Sequence, residues 1–246
     1  MVVMLDSFDM TAVPGLAEIG ERYQALRETV RACEGRAGRE GGSVRIELAA
    51  KYQSPKRVLA ALRAGAELIG HNLIQQLAAG EEALGEMGAP AHRTHVIGHV
   101  QKNKAGKALA YADCIETVDT LELAQRLNRL ASEKGKLLDI FLQVNSSGAQ
   151  SQFGIAPEHV LELAGQIAEL DHLRITGLMT IGAHSEDTHE IARSFERTRN
   201  LRDTVQAAGI ASATELSMGM TGDMEIAIAE GSTIIRVGTA VFGPRP

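Results

Sequence analysis

Apolar residues recur along this chain in two alternating rhythms. Over residues 15–33 they step by three and four, placing Leu16, Ile19, Tyr23, Leu26 and Val30 on one stripe, which predicts a helix. A polar stretch from Glu34 to Gly42, with four glycines, ends that helix. From Ser43 onward, short extended runs alternate with helical stripes. The predicted strands cover residues 43–51, 67–70, 95–98, 113–118, 136–145, 173–180, 214–218 and 233–237. Between the strands, Ser54-Pro55 offers an N-cap and a proline at the first helical position ahead of Val58, Leu59 and Leu62. Asp119 with Glu122 gives a capping pattern ahead of Leu123, Leu127 and Leu130. Pro157 opens a helix striped by Val160, Leu163 and Ile167. A long helix is predicted over 188–208 and a short one over 223–230.

Eight strand–helix alternations after one extra helix predict an α/β fold, a single (β/α)8 TIM-type barrel. The expected division is an N-terminal helix and polar connection over residues 1–42, then the barrel over 43–246. A doubly wound open sheet more often stops at five or six strands.

Composition narrows the function classes. The 246 residues carry a formal net charge of −6, aromatics are 3% and tryptophan is absent, which argues against a nucleic-acid binder. No apolar run approaches the length needed to span a bilayer. The start, Met1-Val-Val-Met-Leu-Asp6, lacks the basic region of a signal peptide. The two cysteines, Cys33 and Cys114, stand far apart, which fits a reducing cytoplasm. His92, His95 and His99 are read as surface or packing histidines, so no metal site is assigned.

In such a barrel the reactive groups sit at the C-terminal ends of strands and in the loops that follow. That rule selects Lys51, Asn72, Met179, Thr180, the run Ser217-Met-Gly-Met-Thr-Gly-Asp223, and Arg236-Val-Gly-Thr239. The loops after the seventh and eighth strands combine glycines with the hydroxyls of Ser217, Thr221 and Thr239, a composition suited to a phosphate group. Alternation along the first strand turns Arg45, Glu47, Ala49 and Lys51 toward the axis, with Arg45 and Glu47 expected to pair. A lysine there loses hydration and becomes a nucleophile toward an aldehyde. Lysine, arginine and phosphate cradle together point to pyridoxal 5′-phosphate (PLP). Met220 and Met224 are read as core residues.

The chain resembles the pyridoxal phosphate homeostasis proteins, single-domain relatives of the alanine racemase barrel. The shared motifs are Ala50-Lys51, Gly70-His71-Asn72, His95-Val-Ile-Gly98 with Gln101-Lys-Asn-Lys104, Gln143-Val-Asn145 and Phe153-Gly154. They continue through Gly177-Leu-Met-Thr-Ile-Gly182, Leu216-Ser-Met-Gly-Met220 and Arg236-Val-Gly-Thr-Ala-Val-Phe-Gly243. The resemblance implies that Lys51 carries PLP as a Schiff base and that Arg236 faces the pyridine nitrogen. It also implies that Thr221, Gly238 and Thr239 hold the phosphate, and that Asn72, Met179, Ser217 and Met218 line the ring. The chain departs from the family pattern at His71, where a glutamate is usual, at Gln152, where a lysine is usual, and at Tyr52-Gln53.

An arginine cannot accept the ring-nitrogen proton, so the expected cofactor is a weak carbanion stabiliser. Racemisation also needs a base on the second face. In alanine racemases, the resemblance implies, a tyrosine from an additional C-terminal domain of the partner subunit supplies it. This chain ends seven residues after Thr239, so that domain is not expected, nor the dimer contacts it provides. The expectation is a cytoplasmic, monomeric PLP carrier or regulator that serves PLP-dependent apoenzymes, with no residue assigned a catalytic role. The alternative is a low-activity amino-acid racemase acting on free amino acids, and a third reading is a phosphosugar-binding barrel without PLP.

Overall fold

In the computed structural model, which describes residues 8–244, eight parallel strands close into a barrel in chain order. They are β1 (Arg45–Ala49), β2 (Leu68–His71), β3 (Arg93–Val96), β4 (Cys114–Val118), β5 (Leu138–Gln143), β6 (Leu173–Met179), β7 (Glu215–Ser217) and β8 (Ile234–Val237). Closure comes from β1 against β8, with Glu47 beside Arg236 and Leu48 beside Val237. The N-terminal run read above for a leader, Met1 to Asp6, lies outside the described residues. No helix among those residues is long and apolar enough to cross a membrane.

The predicted extra helix is α1 (Leu16–Arg36), which packs on α2 (Pro55–Arg63). Ile19, Tyr23, Leu26 and Val30 are buried as the stripe predicts, whereas Leu16, at its first turn, is exposed. The polar connection after α1 is ordered by one residue. Glu34 is fully buried and accepts from Gly42 N at 2.8 Å, Val44 N at 2.7 Å and Ser43 Oγ at 3.1 Å. A carboxylate satisfied by three donors fixes where the chain enters β1.

The remaining helices are α3 (Ile74–Glu86), α4 (Ala105–Tyr111), α5 (Leu121–Glu133), α6 (Val160–Ala168), α7 (Thr188–Ala207), α8 (Met224–Ala229) and α9 (Thr239–Phe242). The last of these, directly after β8, is not legible in the apolar spacing. Two expected caps are corrected. Pro55 does open α2, but the Ser54 side chain makes no capping bond. Thr120, and not Asp119, caps α5, its hydroxyl accepting from Leu123 N at 3.3 Å.

Most of the apolar core lies between strands and helices. On β1, Leu48 with the flanking Val44 and Ala50 belongs to that outer layer, so Arg45, Glu47 and Ala49 face the axis, as period-two alternation requires. The axis itself holds a small apolar group, Leu68, Cys114, Phe141, Met179 and Ile234. Buried polar residues fill much of what remains: Glu47, His95, Glu116, Gln143, Ser217 and Arg236. Barrel interiors are usually packed with branched apolar side chains. Arg45 does not pair with Glu47. It lies at the N-terminal end of the barrel against Glu215, because two residues along a strand carry it about 6–7 Å away from Glu47.

Candidate functional site

At the C-terminal ends of the strands lies a cavity of about 380 Å³, within the range of small-molecule sites. Seven of the nine residues expected to contact PLP line it: Lys51, Asn72, Met179, Thr221, Arg236, Gly238 and Thr239. They come from the ends of β1, β2, β6, β7 and β8, and only the closed barrel brings them together.

Lys51 stands in the turn after β1, two residues past its last strand residue. The turn is tight. Gln53 N donates to Ala50 O at 3.0 Å, and Tyr52 takes φ 62°, a left-handed conformation uncommon for a bulky side chain. Tyr52 N donates to Gln76 Oε1 at 3.2 Å, which ties the turn to α3. The Lys51 amine sits 5.2 Å from the centroid of the Tyr52 ring.

Asn72 is placed by a glycine just past the adjacent strand, β3. A Cβ on Gly98 would meet Asn72 O at 2.0 Å, so only glycine lets the end of β3 approach the loop after β2. On the other side, the loop after β7 turns at Gly219 with φ 95°, where a Cβ would strike Ala227 at 2.4 Å. That turn carries Thr221 to the mouth, and Thr239 Oγ1 lies 3.3 Å from Thr221 Oγ1.

Arg236 is buried on β8, and its guanidinium is fixed from below. Nη1 donates to Ser217 O at 2.7 Å and to Ser217 Oγ at 2.9 Å, while Nη2 donates to Thr180 O at 2.7 Å. Three of its five N–H groups are thereby used, leaving two.

Ser217 therefore acts beneath the cavity and is not on its wall. Its hydroxyl donates to Glu116 Oε2 at 2.5 Å. Met218, the next residue, points away from the axis and packs in the outer apolar layer. This departs from the expectation that both residues line a ring: parity turns Met218 outward, and Ser217 faces the axis but lies below the cavity. Met220 departs in the opposite sense, since it is exposed and lines the cavity, while Met224 packs on the core. Ile97, Ile181, Gln53 and Gly222 also line the cavity.

A polar centre below Arg236 was missed in the sequence. His95 Nδ1 lies 2.7 Å from Glu116 Oε1 and 3.3 Å from Glu47 Oε1, all three residues being almost wholly buried. Burial and the Glu116 charge push the Glu47 carboxyl up to about 7. For His95, burial disfavours the charge. Hydrogen bonds and charges from Glu116 and Glu47 outweigh it and raise the imidazole to about 9. For Glu116 burial is likewise outweighed, here by His95 and Arg236, and its carboxyl is held low. The three residues offer ligand atoms within 4.8 Å of one another. Inward parity at positions 47, 95 and 116 was the available signal.

The three neighbouring histidines separate in space. His92 and His71 both bond Glu81, each at 3.0 Å, and His99 stacks on Phe153 with ring centroids 4.5 Å apart. His71, the departure from the family pattern, thus faces α3 on the outer side of β2. Gln152, the second departure, donates to Gly182 O at 3.0 Å and accepts from Ser147 Oγ at 2.9 Å. Neither is on the cavity wall.

Comparison with known proteins follows the same lines. Residues 24–246 match the family described as alanine racemase, N-terminal domain. A pyridoxal phosphate homeostasis protein from Vibrio alginolyticus is 34% identical over 94% of this chain and 99% of its own length. Among solved structures, one described as an unknown protein from Bifidobacterium adolescentis is 41% identical, with a TM-score of 0.88 over 96% of this chain and 100% of that one. PipY of Synechococcus elongatus, solved with PLP bound, is 32% identical, with a TM-score of 0.81 over 92% of this chain and 100% of that one. With this coverage and identity, the chain belongs to the pyridoxal phosphate homeostasis protein family, within the alanine racemase N-terminal domain group.

Proposed function

We propose that the chain binds PLP at the C-terminal mouth through Lys51 and serves intracellular PLP homeostasis as a carrier or regulator. The carrying observation is that one cavity collects an amine, a guanidinium with two free N–H groups, two threonine hydroxyls and two glycine-bearing loops. This donor set matches an aldehyde, a pyridine nitrogen and a phosphate. The PLP bound in the PipY structure supports the same reading. When bound, the cofactor supplies an aldehyde for a Schiff base with Lys51 and a ring that takes up electrons.

The residues have separable roles. Lys51 offers the nucleophile from a turn set by Tyr52. Arg236, anchored on Ser217 and Thr180, donates to the ring nitrogen and has no lone pair with which to take its proton. That limits the ring as an electron sink and favours holding over transformation. Thr221, Thr239 and Gly238 bind phosphate, while Met179 and Ile97 exclude water from the ring. Cys33 and Cys114, both buried and free, are consistent with a reducing cytoplasm.

An absorption spectrum of the purified protein before and after borohydride, with peptide mapping, tests the binding mode. The expected result is a coloured protein whose reduced adduct maps to Lys51. A colourless protein left unmodified at Lys51 overturns the reading.

One observation favours the racemase alternative: the Tyr52 ring lies beside the Lys51 amine. Exchange of an amino acid α-proton with deuterated water at ordinary enzymatic rates, lost in both Lys51→Ala and Tyr52→Phe, would establish it over the carrier.

A further inference from the structure

Among the described residues, Tyr52 is the one non-glycine held at positive φ. Glycine takes that conformation freely, whereas a bulky aromatic does not. Such strain persists where the surroundings fix it, and it collects at functional sites. Here the turn is fixed twice, by Gln53 N donating to Ala50 O at 3.0 Å and by Tyr52 N donating to Gln76 Oε1 at 3.2 Å. The strain does not bury the ring. Tyr52 is 51% exposed, between Lys51 and Gln53, which both line the cavity. What the ring does meet is the Lys51 amine, 5.2 Å from its centroid.

The cavity offers that amine no anion. No carboxylate lines it, and the other charged group on its wall is Arg236, a second cation. An aromatic face attracts an ammonium group within about 6 Å of its centroid. Schiff-base formation ends that arrangement. The lysine nitrogen replaces the aldehyde oxygen of PLP and gives two protons to it, and the oxygen leaves as water. Any charge left on the nitrogen is then answered by the cofactor's own anionic oxygens. The ring therefore favours the empty site over the occupied one.

We propose that Tyr52 is a positioning residue that holds Lys51 as a free ammonium group and thereby weakens PLP binding, easing release of the cofactor. The inference rests on the reading that PLP is bound through Lys51. It acts through the face of the ring, so the phenol hydroxyl is not needed.

The test compares the full chain with three variants at this position. Tyr52→Phe keeps the aromatic face, Tyr52→Trp enlarges it, and Tyr52→Leu keeps an apolar side chain at the same strained position without it. PLP affinity is measured by spectral titration at neutral pH. Tyr52→Leu is expected to bind PLP about two- to fivefold more tightly than the parent, the loss of one exposed cation–π contact. Tyr52→Phe should match the parent and Tyr52→Trp should bind more weakly. A ring that only obstructs the path slows uptake and release alike and leaves affinity unchanged. Equal or weaker binding by Tyr52→Leu overturns the proposal. If that variant does not fold, Tyr52→Trp decides alone, and affinity equal to or above the parent's overturns it. A second measurement needs no PLP: acetylation of Lys51 by acetic anhydride in the cofactor-free proteins, followed by peptide mapping. Only the neutral amine reacts, so Tyr52→Leu should be acetylated about two- to fivefold faster than the parent and Tyr52→Phe. A parent that takes up no PLP, while acetylation follows this order, overturns the binding reading and leaves the hold on the ammonium standing.

Discussion

The Ser217 hydroxyl accepts from Arg236 Nη1 at 2.9 Å and donates to Glu116 Oε2 at 2.5 Å. One side chain thus supports the guanidinium at the cavity and satisfies a buried carboxylate beneath it. Replacing Ser217 by alanine leaves one N–H of Arg236 and the Oε2 of Glu116 without a partner, while the Ser217 and Thr180 carbonyls still hold the guanidinium and His95 the other Glu116 oxygen. The expected cost is about 1–3 kcal/mol of stability for the orphaned groups. PLP affinity should fall by roughly tenfold, the loss of one supporting hydrogen bond. Urea unfolding of the protein free of cofactor gives the first quantity and spectral titration with PLP the second. Ser217→Thr, which keeps the hydroxyl, should recover most of the affinity. Unchanged affinity in Ser217→Ala would show that Thr180 and the Ser217 carbonyl suffice to hold Arg236.

The buried acid–imidazole–acid centre predicts an unusual pH profile. Glu47 titrates near 4.5 when unfolded and about 7 in the native state, and His95 near 6.5 when unfolded and about 9 when native. Both native values are raised, so the folded protein binds the extra protons throughout this range. Stability is therefore lost with rising pH, first through Glu47 between about 4.5 and 7, then through His95 between about 6.5 and 9. Thermal midpoints measured from pH 5 to 9.5 should decline across both windows. Glu47→Gln should remove the lower part of the slope, because its amide does not titrate. A flat profile would mean that His95 stays neutral in the fold.

Much of this arrangement is legible from residue order. Each strand is covered outside by helices, so apolar residues mark one face and leave the other to be read by parity. Lys51, Thr221 and Arg236 can be placed at one mouth in advance because strand ends converge there in a barrel. Parity at Glu47, His95 and Glu116 was equally available, yet charged residues alternating along a short strand look the same whether they face water or one another. Their partners lie on β1, β3 and β4, and only closure of the sheet makes them neighbours. Met218 and Met220 were misplaced for a local reason. β7 is three residues long, too short for an apolar pattern to fix which side chain faces the axis.

His71 and Glu81 provide a contrast at acid pH. The Glu81 carboxyl is half-buried, and burial alone would raise it. Hydrogen bonds from His71 and His92 outweigh that and hold it at about 2. A native value below the unfolded 4.5 gives stability that is present above that pH and lost as pH falls toward 2. Glu81→Gln should lower the unfolding midpoint at pH 6 and converge with the parent protein near pH 2. The absorption of bound PLP at pH 6 should be unaffected, because neither His71 nor Glu81 lines the Lys51 cavity.

The position of Asn72 depends on the absence of a side chain at residue 98. Adding a methyl group there places a carbon 2.0 Å from the Asn72 carbonyl oxygen, so the loop after β2 must move. A forced backbone shift of this kind costs about 1–3 kcal/mol or more. Because the displaced loop carries a residue of the cavity wall, Gly98→Ala should weaken PLP binding by an order of magnitude or more, in addition to lowering the unfolding midpoint. Gly165→Ala is the matched control. Gly165 lies on α6, exposed and away from the cavity, and a Cβ there meets nothing within 4 Å and its φ is not left-handed. That variant should bind PLP within about threefold of the parent, as expected for a surface change of a few tenths of a kcal/mol. Equal affinities in the two variants would separate the loop after β2 from the binding of PLP, and would leave Lys51, Arg236 and the threonine cradle as sufficient for it.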